Sequence, residues 1–457
     1  MKSLPWGLDP IVLMMIIKNR LEAAKRKLAA IRRKGVLDVK NADRSEDLHR
    51  LFAYPAMMVP AAQYAVIDAV ARCLPKKVRA IDPFMGSGTS LLTCAEFGFN
   101  AFGQDINPLA VLLSRAKTCV YNIDGLRKAC QRALEGIESD CKETIEVDFK
   151  NINKWFNRDV QIGLSKIRRS IIREKDGAIR SFLWIALSEV IRIGSNDRTS
   201  TFKLHMRSAK EIEQRRVNVI EEFKLLVERG IKDAEFYQKK LQLTSNRKRA
   251  VYQKRMRAEW GDSKSGIVAD GLKFDLLVSS PPYGDNHTTV TYGQASYLPL
   301  QWIDPADLSC PYDYLKTTRE IDCKSLGGII RRKEVVESMN LLFKKSETLK
   351  IFFNSLPPEE LSKYYKTFSF MIDLDMCLSK IVQRMKKGAF YIWTIGNRSV
   401  GNREIPNDEI LIDFMASRGI SLFERAERQI LNKKQACKNN FSKTMEKEHI
   451  LIFHKGI

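Results

Sequence analysis

Two short segments hold residues whose types and spacing can do chemistry. Ser280-Pro281-Pro282-Tyr283 follows an apolar run, Phe274 to Val278, that reads as a core strand, and ligands of open α/β sheets sit at the carboxyl ends of such strands. Proline fixes φ and removes a donor, so the turn offers acceptors, the Ser280 hydroxyl and the Pro281 carbonyl. Such acceptors suit an exocyclic amine whose lone pair is delocalised into an aromatic ring. Holding its N–H groups steers the nitrogen towards tetrahedral geometry and stabilises the positive charge that develops there, with no strong base. The Tyr283 ring can stack on a base swung out of a helix.

The second segment is Ile81-Asp82-Pro83-Phe84-Met85-Gly86-Ser87-Gly88-Thr89, between a strand and a helix running from Ser90 to Phe97. Glycines at 86 and 88 let backbone N–H groups approach a ligand closely, and the helix N-terminus behind them favours a carboxylate or phosphate. The lysine of a nucleotide-phosphate loop is missing. A second strand, Ala101 to Gln104, ends in Asp105, 23 residues after Asp82, where an acid accepts hydrogen bonds from ribose hydroxyls. Asn107-Pro108 opens the next helix as cap and first turn.

The elements that must position these residues form a broken α/β pattern. A basic amphipathic helix is expected over residues 9–34, with Leu13, Ile16, Ile17, Leu21, Ala24, Leu28 and Ile31 at helical spacing. Strand, loop, helix and strand follow from Val78 to Val120. From Asp124 to Arg257 the chain reads as helical and strongly charged, with a buried helix at Phe182 to Ile193 and a small core of its own. Strands resume at Gly266 to Ala269 and Asp275 to Ser279. Residues 284–370 give no clear pattern. Then come a helix (371–387), a strand (389–395), a helix (407–417) and closing strands at 421–431 and 449–454.

Composition narrows the class. With 457 residues, 44% of them hydrophobic, the chain is neither disordered nor a disulfide mini-protein. Its 77 Lys and Arg against 54 Asp and Glu leave a formal charge of +23, which calls for a polyanion partner, most simply nucleic acid. The nine cysteines lack any C-x-x-C pair, so reduced thiols without a metal are expected. The apolar run Ile11 to Ile17 is too short to span a bilayer.

The block over residues 81–120 together with residues 267–283 resembles the S-adenosylmethionine-dependent DNA amino-methyltransferases, which methylate cytosine N4 or adenine N6. Their cofactor motif, D-P-F-x-G-S-G-T followed by G-x-D-I-N-P, is met from Asp82 and from Gly103. Phe52 to Pro60 is similar to the segment that closes the cofactor pocket. The resemblance implies a Rossmann-like class I methyltransferase fold, α/β with about seven mostly parallel strands and an antiparallel closing strand. It implies Tyr54, Pro55, Asp82, Pro83, Phe84, Gly86, Ser87, Gly88, Thr89, Asp105, Ile106 and Asp270 as cofactor-binding residues. Within that set, Phe84, Gly86, Gly88 and Thr89 would hold the methionine part, Asp105 the ribose, Ile106 the adenine ring and Asp270 its amino group. Ser280, Pro281, Pro282 and Tyr283 are implied as catalytic, in the variant associated with cytosine N4.

The implied organisation is a basic N-terminal segment (1–50), a catalytic domain (51–120 and 262–457) and a helical, basic insertion (121–261) that suits DNA recognition. In this motif wording the catalytic turn usually comes earlier in the chain; here it follows, behind the insertion. The expected activity is site-specific methylation of cytosine N4 in double-stranded DNA with a flipped target base, for restriction-modification or phage defence. The expected setting is the cytosol of a bacterium or archaeon, beside a partner nuclease and without membrane or metal. Adenine N6, or a base in RNA, is the alternative target; a silent DNA-binding subunit is the alternative of another class. Candidate phosphate grips are Arg247, Lys248, Arg249, Lys254, Arg255 and Arg257, and Lys433, Lys434, Lys438, Lys443 and Lys447. Residues 284–294, His287 among them, are expected to line the target-base pocket.

Overall fold

Apolar residues alternate between two faces along the central strands, and this period of two builds the molecule around one sheet. Ala80, Leu276, Val278, Phe390, Ile392, Ile450 and Ile452 point into one core. Their neighbours Ile81, Leu277, Tyr391, Trp393, Leu451 and Phe453 point into another. The structure, a computed structural model, describes residues 10–33, 35–38, 47–199, 203–244, 256–284, 290–310, 316–330, 335–401, 403–430 and 445–456.

The strands, in chain order, are β1 (Arg79–Asp82), β2 (Asn100–Asp105), β3 (Met256–Trp260), β4 (Phe274–Ser279), β5 (Met385–Ile395), β6 (Arg398–Val400), β7 (Arg403–Ile405), β8 (Ile420–Gln429) and β9 (Lys447–Lys455). Seven of them form one sheet in the order β3-β2-β1-β4-β5-β9-β8. β1, β2, β3, β4 and β5 are parallel, and β9 runs antiparallel to both β5 and β8. This is the class I methyltransferase arrangement that the sequence resemblance implied. β6 and β7 pair apart from it. Between β1 and β4 the strand order reverses direction, which is where such sheets bind ligands.

Helices cover both faces. Pro60–Val70, Thr89–Glu96 and Pro108–Thr118 supply one core with Val66, Leu91 and Val111. Leu361–Gln383 and Asn407–Ala416 supply the other with Phe370, Leu374, Leu411 and Phe414. The basic helix, Pro10–Arg33, packs on the main body: Leu28 is buried, and Lys25 lies over the Phe423 ring of β8. No helix among the described residues is long and apolar enough to cross a membrane.

Two expectations change. The third strand is Met256–Trp260, whereas residues 266–269 are irregular, so the sheet claims the end of the stretch expected to be insertion. The helical stretch also has no core of its own. Phe182, Trp184, Leu187, Phe223 and Tyr237 share one buried cluster with Leu92, Leu109 and Leu113, which belong to helices of the sheet. The helix Gly177–Gly194 is buried at every residue from Phe182 to Ile191, so that stretch must be covered on every side, and the sheet's own helices provide part of that cover.

Candidate active site

The loop after β1 is fixed from three directions. Asp82, 1% exposed, accepts from Phe84 N (3.0 Å), from Ser279 Oγ at the end of β4 (2.5 Å) and from Ser90 Oγ. It thereby ties the loop to the next helix and to the neighbouring strand. Burial pushes its carboxyl up to about 6, although these hydrogen bonds work the other way. Gly86 and Gly88 hold φ of +48° and +75°; a Cβ on Gly88 would meet Ser114 Oγ at 2.7 Å, so glycine is required there.

Asp105, at the end of β2, accepts from Gly86 N (2.8 Å) on one oxygen and from Asn107 N (2.8 Å) on the other. Burial pushes it, too, up to about 6. The helix Pro108–Thr118 grips the loop from below. Ser114 Oγ donates to Gly86 O (3.1 Å), and the buried Lys117 Nζ to Ser87 O (2.8 Å). Desolvation pulls the Lys117 amine down to about 7.

A cleft opens above this loop at the carboxyl edge of the sheet, where ligands of such sheets bind. Of the residues expected to bind cofactor, Tyr54, Pro55, Pro83, Phe84, Gly86, Ser87, Thr89, Asp105 and Ile106 line it. Asp82 and Gly88 lie behind the wall, where they shape the loop instead. Ser280 and Pro282 line the same cleft, so the loop and the proline turn meet across one space. Pro281 is buried, and neither it nor Tyr283 is among the lining residues.

Asp270 requires a correction. It is exposed, with φ of +25°, in the turn before β4. That is the opposite end of the sheet, beside Arg384, which precedes β5 and donates to Ile267 O. The acid that lines the cleft near that part of the chain is Asp262, just past β3. Its signal in the sequence was close to the one that marked Asp105, an acid within two residues of a short strand's end, here Met256–Trp260. Tyr292, from the stretch 284–294 expected to line a pocket for the target base, lines the cleft, and so does Asn107, which was read only as a helix cap. Asn107 Nδ2 donates to Tyr54 OH (3.1 Å) and Ser296 Oγ (2.8 Å), which locks the residue before the cleft to the helix after it.

The proline turn rests on late elements of the chain. Ser280 Oγ and Tyr283 OH are 3.1 Å apart, and Tyr283 OH donates to Glu448 Oε1 on β9 (3.2 Å). Asn407 Nδ2 donates to Tyr283 O (3.5 Å) and to Gly396 O (2.9 Å) beyond β5. Burial first, and the Glu448 carboxylate second, hold the Tyr283 phenol well above its ordinary value.

No protein-family model matches the chain. Its relatives decide the family. Over 433 residues it is 30% identical to the type II methyltransferase M.MvaI of Kocuria varians, covering 91% of this chain and 93% of that protein. The chain belongs to the type II methyltransferases. The resemblance to S-adenosylmethionine-dependent DNA methyltransferases read from the sequence is borne out by this relative. A second one, M.MjaII of Methanocaldococcus jannaschii, is 36% identical over 95 residues, 19% of this chain and 18% of its own. Among solved structures, the rRNA methyltransferase aviRa of Streptomyces viridochromogenes covers 91% of this chain and 94% of its own, at 10% identity and a TM-score of 0.33, too loose a superposition to argue from.

S-adenosylmethionine is the methyl donor of this type II methyltransferase, and the cleft suits it. Two carboxylates, Asp105 and Asp262, face the space, and no Lys, Arg or His stands among its described lining residues. A sulfonium cation with an ammonium group is favoured in such a field. A dinucleotide's pyrophosphate, the competing ligand of a glycine loop and strand-end acid, finds no cationic side chain among the described lining residues. Of the basic runs, Arg257 lies on β3 beside Glu259 (3.5 Å) and over the Phe102 ring, and Lys447 pairs with Glu427 (3.4 Å). The other residues of both runs, and His287, lie outside the described residues.

Proposed function

We propose that this methyltransferase modifies cytosine N4 at specific sites in double-stranded DNA, as the protective arm of a restriction or phage-defence system. The observation that carries the reading is Ser280, a hydroxyl where the turn associated with adenine N6 has Asp or Asn, facing the same cleft as Asp105 and Asp262. In this reading the cofactor's methionine part lies along Phe84, Gly86, Ser87 and Thr89, its ribose on Asp105, and its adenine between Ile106 and Asp262. The target base, swung out of the duplex, offers its amino group to the Ser280 hydroxyl and the Pro281 carbonyl. Those acceptors hold the nitrogen in line for transfer and stabilise the charge it acquires. The charge of +23 supports a phosphate-rich substrate.

Digesting unmodified DNA to nucleosides after treatment with the enzyme, and weighing them by mass spectrometry, tests the reading. N4-methylcytosine is expected; N6-methyladenine in its place ends the claim. The double variant Ser280→Ala, Tyr283→Ala should lose methyl transfer while binding S-adenosylmethionine nearly as the parent does; continued transfer would remove the role given to the turn.

A further inference from the structure

A hydroxyl is both donor and acceptor, and a serine presented to an amino group helps only if its lone pairs, not its proton, face the substrate. The hydrogen bonds behind Ser280 settle which it shows. Glu448 as a carboxylate only accepts, and it takes the single proton of Tyr283, whose hydroxyl donates to Oε1 at 3.2 Å. With that proton committed, the 3.1 Å contact between Tyr283 and Ser280 has one direction left: Ser280 donates to Tyr283. Ser280 then keeps only lone pairs for the cleft.

We propose that Glu448 is a positioning residue that fixes the direction of this chain, so that Ser280 acts as a pure acceptor and selects an amino group over a carbonyl at the same ring position. The inference rests on the reading of Ser280 as the amine's acceptor. Arg428 completes the device. It is the cross-strand partner of Glu448 on β8, is 8% exposed, and donates from Nε to Oε2 at 2.7 Å, so the other oxygen is left for Tyr283. The Tyr283 phenol is held protonated by its burial and by Glu448, which keeps the donor in place. A base with a carbonyl where cytosine has its amine would bring lone pair against lone pair.

The same chain balances the reaction. As the carbon–sulfur bond breaks and the nitrogen–carbon bond forms, the nitrogen must shed one proton. Ser280 Oγ accepts it while passing its own to Tyr283, and Tyr283 passes its own to Glu448, which ends as the neutral acid.

Glu448→Gln tests this sharply. Arg428 needs an acceptor, so it draws the glutamine's oxygen and turns its NH₂ towards Tyr283. That reverses the chain and aims a proton from Ser280 into the cleft. With the full-length enzyme, tritiated S-adenosylmethionine and unmodified DNA, kcat should fall on the order of a hundredfold, with KM for S-adenosylmethionine within about twofold. Tyr283→Phe keeps the ring and the Arg428–Glu448 pair but cuts the chain. It should cost less, and adding Glu448→Gln to it should cost nothing more, because the reversed signal has no route.

A kcat for Glu448→Gln within about twofold of the parent would overturn the proposal. So would a double variant whose loss is the product of the two single losses, since a merely structural contribution would add in that way. If instead the parent enzyme's product carries no methyl on an exocyclic nitrogen, the reading of the turn itself has failed, and nucleoside mass spectrometry reports that separately.

Discussion

Asp105 ties the glycine loop to the start of the helix Pro108–Thr118. Both of its oxygens are engaged by backbone N–H groups at 2.8 Å, yet burial still lifts its carboxyl to about 6. In the proposed reading Asp105 accepts from the ribose hydroxyls, and the ionised carboxylate is the form that does so best. Above pH 6 the carboxylate is present; below it the proton competes. Affinity for S-adenosylmethionine should therefore weaken by up to about tenfold for each pH unit below 6. Calorimetric titrations at pH 7.5 and pH 5 would measure this, and Asp105→Asn should bind weakly at both with no such slope. The loop was legible in the sequence because its geometry is written in contiguous residues, two glycines, a proline and a strand-end acid. Glu448 and Asn407 were not, since their roles arise from contacts across 165 and 124 positions of chain. Asp270 misled because an acid near the proline turn is chemically right but stands on the wrong end of its strand.

At the scale of elements, the helix Pro108–Thr118 sets the glycine loop through Ser114 and Lys117, one turn apart on the same face. A lysine there carries a signature in pH. Its amine is held near 7 in the folded protein against an ordinary value of 10.5, so between those values the unfolded chain binds the extra proton and the native state gains stability as pH rises. Comparing the parent with Lys117→Met in denaturant, the parent should gain on the variant by at most about 1.4 kcal/mol per pH unit between pH 7 and 9. The variant should also bind S-adenosylmethionine more weakly, because Ser87 O loses its donor. Which elements were legible follows the same physical logic. β4 and β5 are buried on both faces and read as apolar runs. β3 is an edge strand that carries Arg257 and Glu259, the kind of charged edge that resists unwanted pairing, and it hides behind a basic stretch for that reason.

For the whole molecule, the question is whether the helical stretch between β2 and β3 is a separate body. Its contacts say that it is built into the catalytic half. Tyr237 OH donates to Leu92 O (3.0 Å), Lys240 pairs with Glu96 (3.0 Å), and Arg50 pairs with Asp233 (2.6 Å). Glu189 accepts from Ala53 N (3.2 Å), next to Tyr54 in the cleft wall, so the stretch also props that wall. Chains of this length usually unfold in steps. Here one buried cluster runs from Leu92 and Leu109 through Phe182 and Trp184 to Tyr237, and the loss of either side strips cover from the other. A single calorimetric transition is therefore expected, raised as a unit by S-adenosylmethionine. Phe182→Ala, at a position 0% exposed and in edge contact with Tyr121 at 5.7 Å, should cost about 3–5 kcal/mol and shift that whole transition downward. A shoulder that moves while the cofactor-sensitive peak stays fixed would mean instead that the helical stretch folds by itself, and that its apparent grip on the wall near Tyr54 has no energetic weight.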